Sequence, residues 1–262
     1  MKTLNFTFET QNTYSTPIRG QAVTLRCLPR PGEGQTPLHQ TVQLSPAVPL
    51  LWQDDGLGNR VAWVTLSAPH TEFRYTSRGS VQVEANAPAP PPHPMYRLPA
   101  PRTAVGPGLA AFGHGLGLSP LPDDAPSAAF WAVGDALCDA IHTRLTYAPG
   151  STCVATPAEQ ALAQGRGVCQ DFAQIFVALA RQIGLPARYC MGLTVGEGAT
   201  HAWAELYFHG AWHGWDPTRG QRTDDHYLRF AVGRDSFDCP VERGVFFGSC
   251  DQLQTVFMRV WV

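Results

Sequence analysis

The sequence predicts an α+β fold, in which an all-β N-terminal part precedes helices packed on an antiparallel sheet. Three observations predict it. Apolar and polar residues alternate with period two through residues 1–86; a 3.6-residue period takes over after Pro126; alternation then returns beyond Gly184.

The elements follow in order. Leu4, Phe6 and Phe8 alternate with polar neighbours, as do Val23, Leu25 and Cys27, and then Val81 and Val83. Turn residues separate these runs at Pro29–Gly34, at Asp55-Gly56 and at Gly58-Asn59. A small sandwich or barrel-like domain over residues 1–86 is expected. Eleven of the 23 prolines then fall between Pro88 and Pro126. Proline removes a backbone donor and clashes in a helix interior, so residues 87–126 are expected to be an extended linker. Residues 127–262, with the last strands included, are expected to form a second, α+β domain.

In that domain Phe130, Gly134, Leu137, Cys138, Ile141 and Leu145 share one helical face. A short second helix is announced by Thr156-Pro157-Ala158-Glu159, with a capping Thr, Pro at the first helical position and Glu completing a capping box. It should stop near Gly165. A third helix carries the stripe Cys169, Phe172, Ala173, Phe176, Val177, Ala180 and Ile183, ended by Gly184 and Pro186. Strands are expected at 188–195, 200–208, 211–216, 227–232 and 252–262.

The bulk numbers exclude several classes. At 262 residues the chain can bury a full core, and a hydrophobic fraction of 44% is that of a globular protein. A net charge of −2 without Lys/Arg runs argues against nucleic-acid binding. No apolar stretch approaches the ~20 residues that span a bilayer. The first residues alternate rather than forming the apolar core of a secretory signal. The seven cysteines are odd in number and scattered, which argues for reduced thiols and, with the N-terminus, for a cytoplasmic location. No C-x-x-C pair, H-E-x-x-H or EF-hand loop is present, so neither a metal nor a cofactor is expected.

Cys169 opens a helix, where unpaired N–H groups and the helix dipole favour a thiolate. Gly165 and Gly167 just before it would let a substrate backbone approach. On position alone, a buried core cysteine explains Cys169 as well. The other six cysteines lie in strands, mid-helix or loops and read as small hydrophobes. His201 lies on a strand beside a predicted two-residue turn, His209-Gly210. That turn sets Phe208 against Ala211 and Trp203 against Asp216, which puts Asp216 diagonally across from His201, roughly 7–8 Å between backbones. A four-residue loop keeps this pairing; a three-residue loop would put the two on opposite faces. A carboxylate beside a His fixes its tautomer and stabilises its imidazolium, which in turn holds a Cys as thiolate. Among the rival histidines 142, 209, 213 and 226, His213 is expected to share the face of His201.

Gly167-Val168-Cys169-Gln170-Asp171-Phe172-Ala173, Gly184-Leu185-Pro186-Ala187-Arg188-Tyr189, His201-Ala202-Trp203 and Trp215-Asp216-Pro217-Thr218 together resemble the transglutaminase-like core of bacterial proteins. Asp55 to Val61, Ala231 to Asp235 and Arg243-Gly244-Val245 extend the resemblance to the β-rich N-terminal region and the tail of bacterial members. It implies a transglutaminase-like, papain-like core with Cys169 as nucleophile, His201 as general base and acid, and Asp216 orienting His201. It also implies acyl transfer on a peptide or protein substrate through a thioester; hydrolysis is expected in preference to cross-linking because nothing in the sequence marks a lysine-accepting site. Transglutaminase or deamidase activity and a non-catalytic binding module are the alternatives. Beside the Cys169 backbone N–H, Trp131 and Trp203 are candidates for a second oxyanion donor.

Overall fold

The computed structural model describes residues 1–262 except 118 and 123. Five strands come first: β1 (Lys2–Leu25), β2 (Gln35–Ser45), β3 (Leu51–Asp54), β4 (Arg60–Leu66) and β5 (His70–Val83). Then follow α1 (Pro107–Gly115), α2 (Ser127–Arg144), β6 (Thr146–Tyr147), α3 (Ala158–Gln164), β7 (Arg166–Gly167) and α4 (Cys169–Gln182). The remainder is β8 (Ala187–Thr194), β9 (Gly196–Gly198), β10 (His201–Phe208), β11 (Ala211–Asp216), β12 (Gln221–Arg222), β13 (Tyr227–Gly233), β14 (Glu242–Phe247) and β15 (Gln252–Trp261).

The 24-residue β1 organises the N-terminal sheet. Its first half pairs antiparallel with β5 and β15, and its second half, beyond an irregularity between Thr13 and Ile18, pairs with β4 and β14. Leu4, Phe6 and Phe8 point inward and are buried, as the alternation predicts. The last two strands differ from expectation. β14 and β15 pair with β1 instead of joining the second sheet; Met258 and Val260 of β15 are buried there, while most of both strands stays exposed. The unit predicted over 127–262 therefore gives up its C-terminal strands to the N-terminal sheet.

The second sheet runs β12-β11-β10-β8-β13. Helix α4 lies against β8 and β10, and α2 lies beside it; Phe172, Phe176 and Ala180 of α4 are fully or almost fully buried. The two sheets meet at β13. A bulge between Arg229 and Ala231 turns Phe230 toward Phe6 and Phe8, with ring centroids 5.8 and 5.7 Å away in edge-on geometry. Two buried side-chain amides cover the free edge of β13. Asn59 donates to the Val232 carbonyl and accepts from its N–H, both at 2.8 Å, and Gln35 does the same with Arg229 at 2.9 and 2.6 Å. Arg188 joins the domains as well, reaching Glu205 at 2.5 Å and Glu33 at 2.7 Å, with Arg229 3.1 Å from Glu205. Burial pushes the Glu205 carboxyl up, but the two arginines outweigh it and hold it at about 2.

The Pro-rich stretch is more ordered than a linker. It contains α1, which starts on Pro107 and uses the proline-free run behind it. Buried Arg181 donates to the Tyr96 carbonyl and to Thr103, fastening this stretch to α4. The capping box expected at Thr156 is not formed. Thr156 accepts from the Cys153 N–H, while the Glu159 carboxylate accepts from the Gly108 and Leu109 N–H groups at 2.7 and 2.9 Å and so caps α1. Helix α3 does stop at Gly165, which takes a left-handed conformation (φ 67°). Among the described residues no helix is long and apolar enough to cross a membrane.

Gly134 faces Trp215, and a Cβ there would collide with the indole. Gly→Ala in a free helix stabilises by roughly 1 kcal/mol. Gly134→Ala should instead destabilise, by about 1–3 kcal/mol, because a packed site is overfilled. Urea unfolding measures the sign, and a stabilised variant would contradict this close packing of α2 on Trp215.

Candidate active site

Cys169 is the first residue of α4, after the extended Val168. The Asp171 carboxylate fixes this helix start by accepting from the Val168 N–H at 2.8 Å and from the Thr152 hydroxyl at 2.6 Å. A side chain at Gly167 would strike Asp171. The glycines before Cys169 thus serve the chain itself: Gly165 ends α3 and Gly167 makes room for Asp171.

His201 begins β10 and Asp216 ends β11. The predicted turn forms, with His209 and Gly210 both at positive φ (45° and 81°), and it sets Phe208 opposite Ala211. His201 Nε2 lies 2.7 Å from Asp216 Oδ2. The other ring nitrogen is not engaged by Asp216, and Cys169 lines the same cavity as the ring. The structure thus brings together the three side chains named from the sequence. Burial disfavours the charged imidazole, but the hydrogen bond and charge of Asp216, with Cys169 nearby, win and raise His201 to about 9.

Asp216 is fully buried and divides its work between two oxygens. Oδ1 accepts the Thr218 and Arg219 N–H groups at 3.1 and 3.2 Å, making the turn that Pro217 suggests. Oδ2 takes His201 and also the Tyr227 hydroxyl at 2.8 Å, and Tyr227 accepts in turn from Gln221 at 3.0 Å. Sequence reasoning missed Tyr227, since a Tyr opening a strand carries no signal of its own. Four of the other six cysteines are buried, Cys153 is exposed and Cys250 is half-buried; all seven are free.

Several expectations are corrected. His213 pairs with Leu206, one residue out of step with the face of His201, so it lies on the opposite side of the sheet. There it packs against Phe130 and Trp131 and contacts Asn86 at 3.0 Å. His209 sits in the turn, His142 contacts the Pro217 carbonyl, and His226 pairs with Asp224. Neither tryptophan serves as oxyanion donor. Trp131 lies under Arg222, and the Trp203 N–H is held by Glu205 at 3.3 Å. Among the described residues no three metal-ligating side chains converge.

Residues 125–217 match the transglutaminase-like superfamily core, and residues 4–82 match the bacterial transglutaminase-like N-terminal region. An uncharacterized protein of Mycobacterium leprae is 31% identical over 260 residues, covering 90% of each chain. This chain belongs to the transglutaminase-like superfamily. An uncharacterized protein of Mycobacterium tuberculosis is 32% identical over 222 residues, covering 74% of this chain and 71% of that one. A solved structure from Cytophaga hutchinsonii, provisionally named a cysteine protease, superposes on this transglutaminase-like protein with a TM-score of 0.78 at 20% identity. It covers 99% of this chain and 91% of the other, and it shares the fold.

The raised His201 value sets a pH window. Between the ordinary 6.5 and about 9, the folded protein holds a proton that the unfolded chain releases. The stability this confers is complete below pH 6.5 and is lost as pH rises through about 9. NMR titration of the ring protons should put His201 near 9, and Asp216→Asn should lower it. A midpoint near 6.5 in both proteins would remove Asp216 as its electrostatic partner.

Proposed function

We propose that this protein is a cysteine acyl-transfer enzyme that hydrolyses amide or peptide bonds. One observation carries the reading: a half-buried cysteine at a helix start shares a cavity with a histidine that a fully buried carboxylate holds from behind at 2.7 Å.

The Cys169 sulfur attacks the substrate carbonyl carbon. The oxyanion so formed is met by the unpaired N–H groups of the first turn of α4, the Cys169 N–H among them. Collapse breaks the carbon–nitrogen bond. The His201 imidazolium gives its proton to the departing amine, leaving a thioester on Cys169. Neutral His201 then takes a proton from water as the water attacks the thioester; the acid leaves and the thiol is restored. Asp216 stays ionised throughout and orients the ring.

Both sheets wall the cleft in front of Cys169, a cavity of about 660 Å³. That size suits a segment of peptide, which supports a peptide or protein as substrate. Seven free thiols fit a reducing compartment, and we place the enzyme in the cytoplasm.

Incubating the protein with a peptide library in ¹⁸O-labelled water, with and without an added amine, tests the reading. Mass spectrometry should find ¹⁸O-labelled cleavage products that form with or without amine, and Cys169→Ala should reduce them by roughly 10³-fold or more. Amine-bearing products in place of acids would change hydrolysis to transfer. No Cys169-dependent product, together with iodoacetamide labelling no faster than that of free cysteine across pH 5–8, would overturn the enzyme reading.

A further inference from the structure

The wall of the cleft that faces Cys169 belongs to the N-terminal sheet, and its chemistry changes along β1. The inward column begins apolar with Leu4, Phe6 and Phe8, then turns polar at Thr10 and Asn12, which are 1% and 0% exposed. The change comes where the cleft opens, since Phe8 and Thr10 both line it. Burying polar side chains in a β-sheet core is costly unless each finds a partner.

Around these two stand Tyr75, directly across from Thr10 on β5, and Glu242 at the start of β14. The Asn12 amide donates to both Glu242 oxygens at 3.1 and 3.0 Å. Gln252 and Gln254 in turn donate to the Asn12 carbonyl at 2.9 and 3.1 Å. Everything that reaches Glu242 is neutral, and among the described residues no cation pairs with it. The cleft's arginines are engaged elsewhere: Arg243 lies over the Phe237 ring and donates to the Phe237 carbonyl, and Arg102 donates to the Ala155 carbonyl. Burial pushes the Glu242 carboxyl up, as expected for a carboxylate withdrawn from water without a counter-charge. The Thr10 and Tyr75 hydroxyls beside it are buried and have no well-formed hydrogen bond. A second cavity of about 300 Å³ adjoins the first, and Glu242 and Gln254 line both.

A carboxylate without a counter-ion and two buried hydroxyls with spare bonding capacity form a site for a donor carrying positive charge. We propose that Glu242, with Thr10 and Tyr75, binds a cationic side chain of the substrate, an ammonium or guanidinium, and so directs the enzyme to basic peptides. The inference rests on the acyl-transfer reading for its effect on turnover, whereas binding at Glu242 does not need the thiol.

The test therefore measures binding and turnover separately. Fluorescence anisotropy with the full-length Cys169→Ala protein compares a labelled, acetylated pentapeptide carrying a central lysine with its norleucine counterpart. The lysine peptide should bind about tenfold more tightly, as a charge-assisted contact would provide. Adding Glu242→Gln should bring the lysine peptide to the norleucine level and leave the norleucine affinity unchanged, which also shows that the variant is folded. Equal binding of the two peptides with Glu242 intact, or no binding of either at millimolar concentration, would overturn the proposal without reference to any variant. In the thiol-intact protein, cleavage with no preference for basic peptides removes this inference and keeps the acyl-transfer reading. Lysine-selective binding without Cys169-dependent chemistry does the reverse.

Discussion

A two-residue turn decides where Asp216 falls along its strand. His209 and Gly210, both at positive φ, close the β10–β11 hairpin with the twist that antiparallel strands favour. The pairing then runs without interruption from Phe208 and Ala211 to Ala204 and Trp215. The next pair in that register brings Asp216 alongside Trp203 and within reach of His201. Side chains alternate strictly along a strand, so a slip of one residue would carry the carboxylate to the other face. The raised affinity of His201 for its proton depends on this register.

Much of this was legible in the sequence because local rules determine it. The helix stripe from Cys169 to Ile183, the stop at Gly165 and the hairpin turn each follow from a periodicity or a backbone preference, and the contact of His201 with Asp216 follows from the turn. What was not legible depends on partners far along the chain. Glu159 has the right spacing to cap its own helix, yet Gly108 and Leu109 compete for it successfully from 50 residues away. The strand over 252–262 was expected, but a strand pattern does not say which sheet it will join, and β14 was not anticipated at all. Tyr227 was overlooked because its hydroxyl matters only through Asp216. His213 was put on the wrong face although the pairing rule already excluded it.

The N-terminal β-domain is part of the site. Asn59 and Gln35 act as an extra strand along β13, giving its backbone the partners that an edge strand lacks. The Arg188, Glu205 and Glu33 contacts cross the same boundary with charges withdrawn from water. Such pairs add little net stability over apolar packing, but leaving one member alone is costly, so they favour a single arrangement of the two sheets. A fixed arrangement is what a cleft walled by both sheets requires.

The pairing of β1 with β15 places Asn5 opposite Trp261. β1 thus waits for a partner strand made more than 200 residues later, on the order of ten seconds or more at ordinary rates of synthesis. Until then one edge of β1 is open to pairing with another nascent chain. A chain truncated before residue 252 would leave that edge permanently bare.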